Sequence, residues 1–212
     1  MIHLDKTFEI KISEKNIDYE EAVQLMKKRV DDIINKKEKE LIWFLNHDHI
    51  YTCGTSSNKS EILCKTNIPI INTNRGGKIT YHGPGQRIIY LIIDLNKRKK
   101  DIRKFTAIIE NTIIQTLKEY QINSFNDRDN IGIWVNHENK IKKIAAIGIR
   151  VSKWIAYHGF AINVNNNLEN YNKIIPCGIK NKDVSNLKLV KDQNYNELND
   201  KIVNNFIKNL EI

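Results

Sequence analysis

Two helix-patterned segments bracket a long run of strand-patterned ones with no helix among them, and this order limits the fold more than any other feature. Asp18 caps the first helix, with Glu21 three residues on as in a capping box. Ala22, Leu25, Met26, Val30, Ile33 and Ile34 recur at helical spacing as its apolar stripe. The second helix runs from about 102 to 120, with Phe105, Ile108, Ile109, Ile113 and Leu117 inward. Between them, residues 41–46 (LIWFLN), 68–73 (IPIINT), 77–82 (GKITYH) and 87–95 (RIIYLIIDL) read as strands. Residues 7–12 alternate like a strand, further strands fall near 132–136, 141–151 and 154–164, and Leu198, Ile202, Phe206 and Leu210 mark a last helix. Strands that cluster without regular βαβ alternation favour an α+β fold, with a mixed or antiparallel central sheet flanked by helices, over a doubly wound one. The 212 residues suffice for one domain, 1–212, with a substantial core.

Composition narrows the function classes. With 41% hydrophobic and 28% charged residues the chain reads as an ordinary soluble protein. No run approaches the roughly 18 apolar residues of a membrane span, and the N-terminal segment lacks a signal-peptide apolar core. Three widely spaced cysteines without a CxxC argue against a disulfide framework. The expected setting is the cytoplasm. The net charge of +9 favours acidic partners. Its densest run, Asn96-Lys97-Arg98-Lys99-Lys100, reads as a solvated turn or as a docking point for an acidic protein; no aromatic-interleaved basic motif accompanies it to indicate nucleic acid. His47-x-His49 has no Cys, Asp or Glu at matching spacing, so no metal is expected.

Four segments could carry chemistry. In Arg75-Gly76-Gly77-Lys78-Ile79-Thr80-Tyr81-His82-Gly83-Pro84-Gly85-Gln86, four glycines read as two tight turns or as a backbone that a ligand approaches closely. The order is not that of a phosphate loop. In Lys142 to Gly148, strict alternation puts Lys143 on one face with Ile141, Ala145 and Ile147. A surface lysine is the ordinary reading; on an apolar face, desolvation favours the neutral form and makes Lys143 a candidate base. His158-Gly159 is a polar insertion in an apolar strand, ordinarily a hydrogen-bonded core histidine. Pro176-Cys177-Gly178 sets a thiol between a rigid and a permissive residue, which would expose a nucleophile and offer an amide to a developing oxyanion. Cys53 and Cys64 lie in polar loop surroundings and read as incidental.

Taken together, "RGGKITYHGPGQ", "KIAAIGIRV", "HGFAINV" and "PCGI" resemble the lipoyl(octanoyl) transferases in order and spacing, over about residues 40–190. "LNHDHIYTCGTSS" is similar to that family's early motif, with Asp48-His49 where prolines are usual, and "KDVSNL" departs from the usual Gly-Val-Thr-Ser-Leu. The resemblance implies a fold related to the catalytic domains of biotin and lipoate protein ligases, and a two-step acyl transfer. Cys177 would take octanoate from acyl carrier protein. A lysine of a lipoyl domain, on a 2-oxoacid dehydrogenase or the glycine cleavage H protein, would then receive it. Lys143 matches the family's active-site lysine. Arg75, Gly76, Gly77, Lys78, Ile79, Thr80, Tyr81 and His82 match its substrate wall, as do Ala146, Ile147, Gly148, Gly159, Phe160 and Ala161, with His158 in support. The implied chemistry uses no nucleotide or metal cofactor; beside it, composition and motifs lead to the expectation of a monomer that engages neither nucleic acid nor membrane. The alternatives are an ATP-dependent lipoate or biotin ligase and a basic nucleic-acid-binding module.

Overall fold

The computed structural model describes residues 8–175 and 183–211. The elements run β1 (Phe8–Ile12), α1 (Tyr19–Ile34), β2 (Glu40–Leu45), β3 (Ile50–Cys53), β4 (Ile70–Asn72), β5 (Thr80–His82), β6 (Gln86–Asp94) and α2 (Ile102–Glu119). They continue through β7 (Ser124–Asn126), β8 (Ile133–His137), β9 (Lys140–Ser152), β10 (Ile155–Asn163), β11 (Asp183–Val184), α3 (Leu187–Val190) and α4 (Leu198–Leu210).

The main sheet has the order β1-β2-β6-β10-β9-β8-β7, with β11 added beside β9. β1–β2 and β11–β9 are parallel and the other pairs antiparallel, so the sheet is mixed. Its central strands are apolar on both faces because helices cover both. Ile42, Phe44, Ile89, Leu91 and Ile93 meet Phe105, Ile109 and Ile113 of α2 and Ile202 and Phe206 of α4. The alternate residues Leu41, Trp43, Leu45, Ile88, Tyr90 and Ile92 meet Ala22, Met26, Val30 and Ile33 of α1. A second sheet of three short strands, β4-β3-β5, packs through Tyr51, Ile79 and Tyr81 against Tyr171 and Ile174.

The expected strands at 68–73 and 77–82 shorten to Ile70–Asn72 and Thr80–His82: the glycine-bearing loop takes up 73–79, and Pro69, which has no amide proton to donate, stands just before the first. The 50–53 segment, expected as loop, is a strand, so Cys53 packs against the small core while Cys64 is exposed. Among the described residues no helix is long and apolar enough to cross a membrane.

Helix α1 opens where Asp18 accepts hydrogen bonds from the amides of Glu20 (2.9 Å) and Glu21 (3.0 Å). Removing that acceptor leaves two amides without a cap. Asp18→Ala should lower the urea-unfolding free energy by about 1 kcal/mol with an unchanged denaturant slope; an unchanged midpoint would show that the cap contributes nothing.

Candidate active site

Backbone contact builds the first wall. The loop Arg75–Gly77 lies on β9, where the Gly76 amide donates to the Ile149 carbonyl at 3.1 Å. A Cβ on Gly76 would stand 3.0 Å from that carbonyl oxygen, and one on Gly148 would stand 3.1 Å from the Gly76 oxygen. The paired glycines therefore let loop and strand touch. Arg75 turns inward and is buried; its guanidinium donates to the Thr52 carbonyl (2.6 Å), the Thr52 hydroxyl (2.8 Å from Nη2) and the Gly76 carbonyl (2.9 Å). Among the described residues no carboxylate pairs with it.

The sheet supplies the second wall through two local distortions. Strict alternation would place Lys143 with Ala145 and Ile147, which pack on the α2/α4 side. The register changes instead: Ile133 pairs with Ala145 and the next residue, Trp134, pairs with Lys143. Ile144 is the extra residue of a bulge, and Ile144 and Ala145 both join the α2/α4 core. Lys143 is thereby turned to the other face, opposite Trp134, with its Nζ 5.0 Å from the ring centroid. The expected company of Lys143 is thus corrected: Ala145 enters the α2/α4 core and Ile141 is exposed, while Ile147 packs against that core and still borders the cavity. Lys143 is only 6% exposed and no carboxylate pairs with it among the described residues, whereas Lys142 bonds to Glu138. Gly132, at φ +135°, makes the room; a Cβ there would meet Lys143 Cε at 2.3 Å.

The second distortion is at His158, whose φ is +63°. Its neighbours in alternation, Ala156 and Phe160, enter the α2/α4 core. Pairing of β10 with β6 lapses at Tyr157–His158 and resumes at Gly159–Tyr90. His158 instead stacks on Tyr157 and meets Tyr90 edge-on, both on the α1 side. Positive φ is uncommon outside glycine, with histidine among the more tolerant residues.

Between these walls lies a cavity of about 450 Å³, within the usual range for small-ligand sites. It brings together Arg75, Gly76, Gly77, Lys78, Thr80, His82, Lys143, Ala146, Ile147, Gly148, His158, Gly159, Phe160 and Ala161. Ile79 and Tyr81 alternate to the far side of β5, where they fill the small core. The cavity also takes in Tyr19, Tyr90, Ile102, Thr106 and the 129–131 segment, which sequence reading did not single out. Only the position of Tyr19 next to the Asp18 cap hinted at a fixed place for it. Cys177, with Pro176 and Gly178, lies outside the described residues. The chain on either side is anchored: the Ile175 amide donates to the Glu61 carbonyl (2.7 Å), and Val184 pairs with Lys143, whose carbonyl accepts from the Ser185 amide (2.8 Å).

A buried polar chain links these anchors. Asn163 donates to the Ser185 carbonyl (3.0 Å) and accepts from Gln86 (2.9 Å), and Gln86 accepts from His82 Nδ1 (2.7 Å). Glu61, which holds Ile175 through its backbone, holds Lys78 through its side chain at 3.1 Å. His47 Nδ1 donates to the Ile17 carbonyl (2.6 Å), so its Nε2 accepts from the Tyr90 hydroxyl (2.8 Å). Burial pushes the Cys53 thiol up, which suits a structural cysteine. Among the described residues no group of three metal-ligating side chains occurs.

Burial also brings His82 and His158 down to about 3, with His47 adding to the effect at His82 and Arg75 at His158. Both are neutral in the folded protein while unfolded histidine takes up a proton near pH 6.5. Below that pH the unfolded state binds more protons, so stability is full above about pH 6.5 and declines as pH falls toward 3. His158→Asn should flatten this decline between about pH 6 and pH 4, measured by urea midpoints; a slope equal to that of the unsubstituted protein would contradict it. For Gly132, a double cycle is informative. Gly132→Ala should destabilise more with Lys143 present than in Lys143→Ala, because one of its two clashes is with that side chain. Equal costs would locate the strain in the backbone alone.

Residues 18–207 match the model of the lipoyl protein ligase A/B catalytic domain. An octanoyltransferase of Ehrlichia chaffeensis is 45% identical over 181 residues, covering 85% of each chain. One from Anaplasma phagocytophilum is 42% identical over 202 residues, covering 94% of this chain and 97% of its own. In fold, the chain resembles a lipoate protein ligase from T. acidophilum with bound lipoic acid, at TM-score 0.68 and 18% identity over 97% of this chain and 86% of that one. It also resembles a lipoate-protein ligase A bound with ATP, at TM-score 0.70 and 17% identity over 96% of this chain and 86% of that one.

Proposed function

The chain belongs to the octanoyltransferase family and is an acyltransferase, and we propose that it moves octanoate from the phosphopantetheine thioester of acyl carrier protein to a lysine of a lipoyl domain, through a thioester on Cys177. The observation that carries this reading is the buried Lys143, turned by a bulge toward an apolar-walled cavity and hydrogen-bonded through its own strand to the residues that follow Cys177.

In the first half-reaction the Cys177 sulfur attacks the thioester carbonyl. The new S–C bond forms as the phosphopantetheine S–C bond breaks, and the thiol proton passes to the departing sulfur. In the second, the acceptor amine attacks the same carbonyl, a C–N bond replaces the S–C bond, and the amine's proton returns to Cys177 directly or through Lys143. A free thiol is only a few per cent thiolate at pH 7, and a protonated Lys143 would stabilise the thiolate. Exchange between thioesters is nearly isoergic and aminolysis of a thioester is downhill. The pathway therefore calls for no nucleotide and no metal. Ile147 and Phe160, paired across β9 and β10, offer apolar surface to the chain. The +9 charge suits the acidic surface common to carrier proteins and lipoyl domains.

Intact-mass measurement after incubation with octanoyl-acyl carrier protein tests the reading. A hydroxylamine-sensitive octanoyl adduct is expected on the unsubstituted protein, Cys53→Ala and Cys64→Ala, and not on Cys177→Ala. Transfer supported instead by octanoate and ATP, with no adduct, would point to a ligase and overturn the proposal.

A further inference from the structure

The cavity does not end as it begins. His158 pairs with Ile149, six residues along β9 from Lys143, so the two side chains enter the cavity at levels roughly 15–20 Å apart. Around Lys143 the neighbours are Trp134, Gly132 and the 129–131 segment, with Ala146 and Ile147 following along β9. At the His158 level the surroundings are Tyr90, Tyr19 and His82. His158 is 2% exposed and neither ring nitrogen has a hydrogen-bonding partner among the described residues. The hydroxyl of Tyr19, 3% exposed, has the Thr73 and Arg75 side chains beside it but makes no well-formed hydrogen bond among the described residues. Buried polar atoms of this kind are normally satisfied by water or by a polar group of a ligand.

We propose that His158 and Tyr19 form a polar floor that sets the longest straight-chain acyl group the cavity accepts. The proposal rests on the acyl-transfer reading above and specifies what limits its substrate. Magnitudes decide the direction. Each methylene buried on the apolar walls is worth about fourfold in affinity. A methyl end pushed onto the floor leaves at least one imidazole nitrogen or hydroxyl unsatisfied, about tenfold or more. One further methylene cannot offset that loss, so affinity must turn over where the chain reaches His158. A chain ending in a hydroxyl can replace the lost partner and should pass the same point without the penalty.

The test uses neutral N-acetylcysteamine thioesters, hexanoyl through dodecanoyl, and their ω-hydroxy counterparts, with the unreactive Cys177→Ala protein in a titration calorimeter. Affinity should rise with length, then fall. At the first length past the maximum the ω-hydroxy ligand should bind about tenfold tighter than the plain one. Tyr19→Phe, which removes only a hydroxyl, should shrink that advantage, and His158→Leu should shift the maximum to longer plain chains. Plain and hydroxy chains that fall off together would show closure by shape and overturn the floor while leaving the acyl cavity intact. A maximum unmoved in folded His158→Leu, with the ω-hydroxy advantage unchanged in Tyr19→Phe, would do the same. Failure of every thioester to bind would remove the acyl cavity and the floor with it.

Discussion

The site depends on two side chains that leave the face their strand position assigns them. Continuous pleating of β9 and β10 would drive Lys143 and His158 into the core beneath α2 and α4, among Phe105, Ile109 and Phe206. An unpaired ammonium there would be far out of reach of water, a position that proteins tolerate only with a partner or by giving up the charge. One inserted residue, Ile144, and one positive φ, at His158, redirect both toward the cavity. The remaining features follow from that redirection. Trp134 becomes the surface under Lys143, Gly132 must lack a side chain, and Gly148 and Gly159 must be bare because loop and β6 backbone lie against them.

The same economy governs the chain around Cys177. Glu61 joins Ile175 to Lys78 of the glycine-bearing loop, and Asn163 and Gln86 join Ser185 to His82. Fixed polar contacts thus tie the flanks of the 176–182 segment to both cavity walls. Buried networks of this kind are stabilising when every member is satisfied, and removing one member strands its neighbours. Reacting groups need such anchoring to stay within reach of one another.

The layered α+β architecture was readable because both faces of the central strands are covered, so β2 and β6 are apolar at nearly every position and the helices carry clear stripes. The glycine-bearing loop was readable because its glycines answer a local demand. The second sheet was not, since three- and four-residue strands such as Ile70–Asn72 leave too little pattern to detect. Tyr19, Glu61 and Gly132 escaped because their roles arise from contacts distant in sequence. The facing of Lys143 was misread for a specific reason: alternation carries no mark of an extra residue, and Ile144 looks like any other core isoleucine. Lys143 could still be singled out as a lysine in an apolar strand, and that signal survives the change of face.

The central claim is that Lys143, through its redirected side chain, acts on the thiol of Cys177. The second-order rate of Cys177 alkylation by iodoacetamide, followed against pH by peptide mass, tests it most directly. In Lys143→Met the rate at neutral pH should fall about tenfold and the profile should move up by roughly one pH unit, while Lys142→Met, which loses only an ion pair to Glu138, should match the unsubstituted protein. Superimposable profiles for all three proteins would contradict the account.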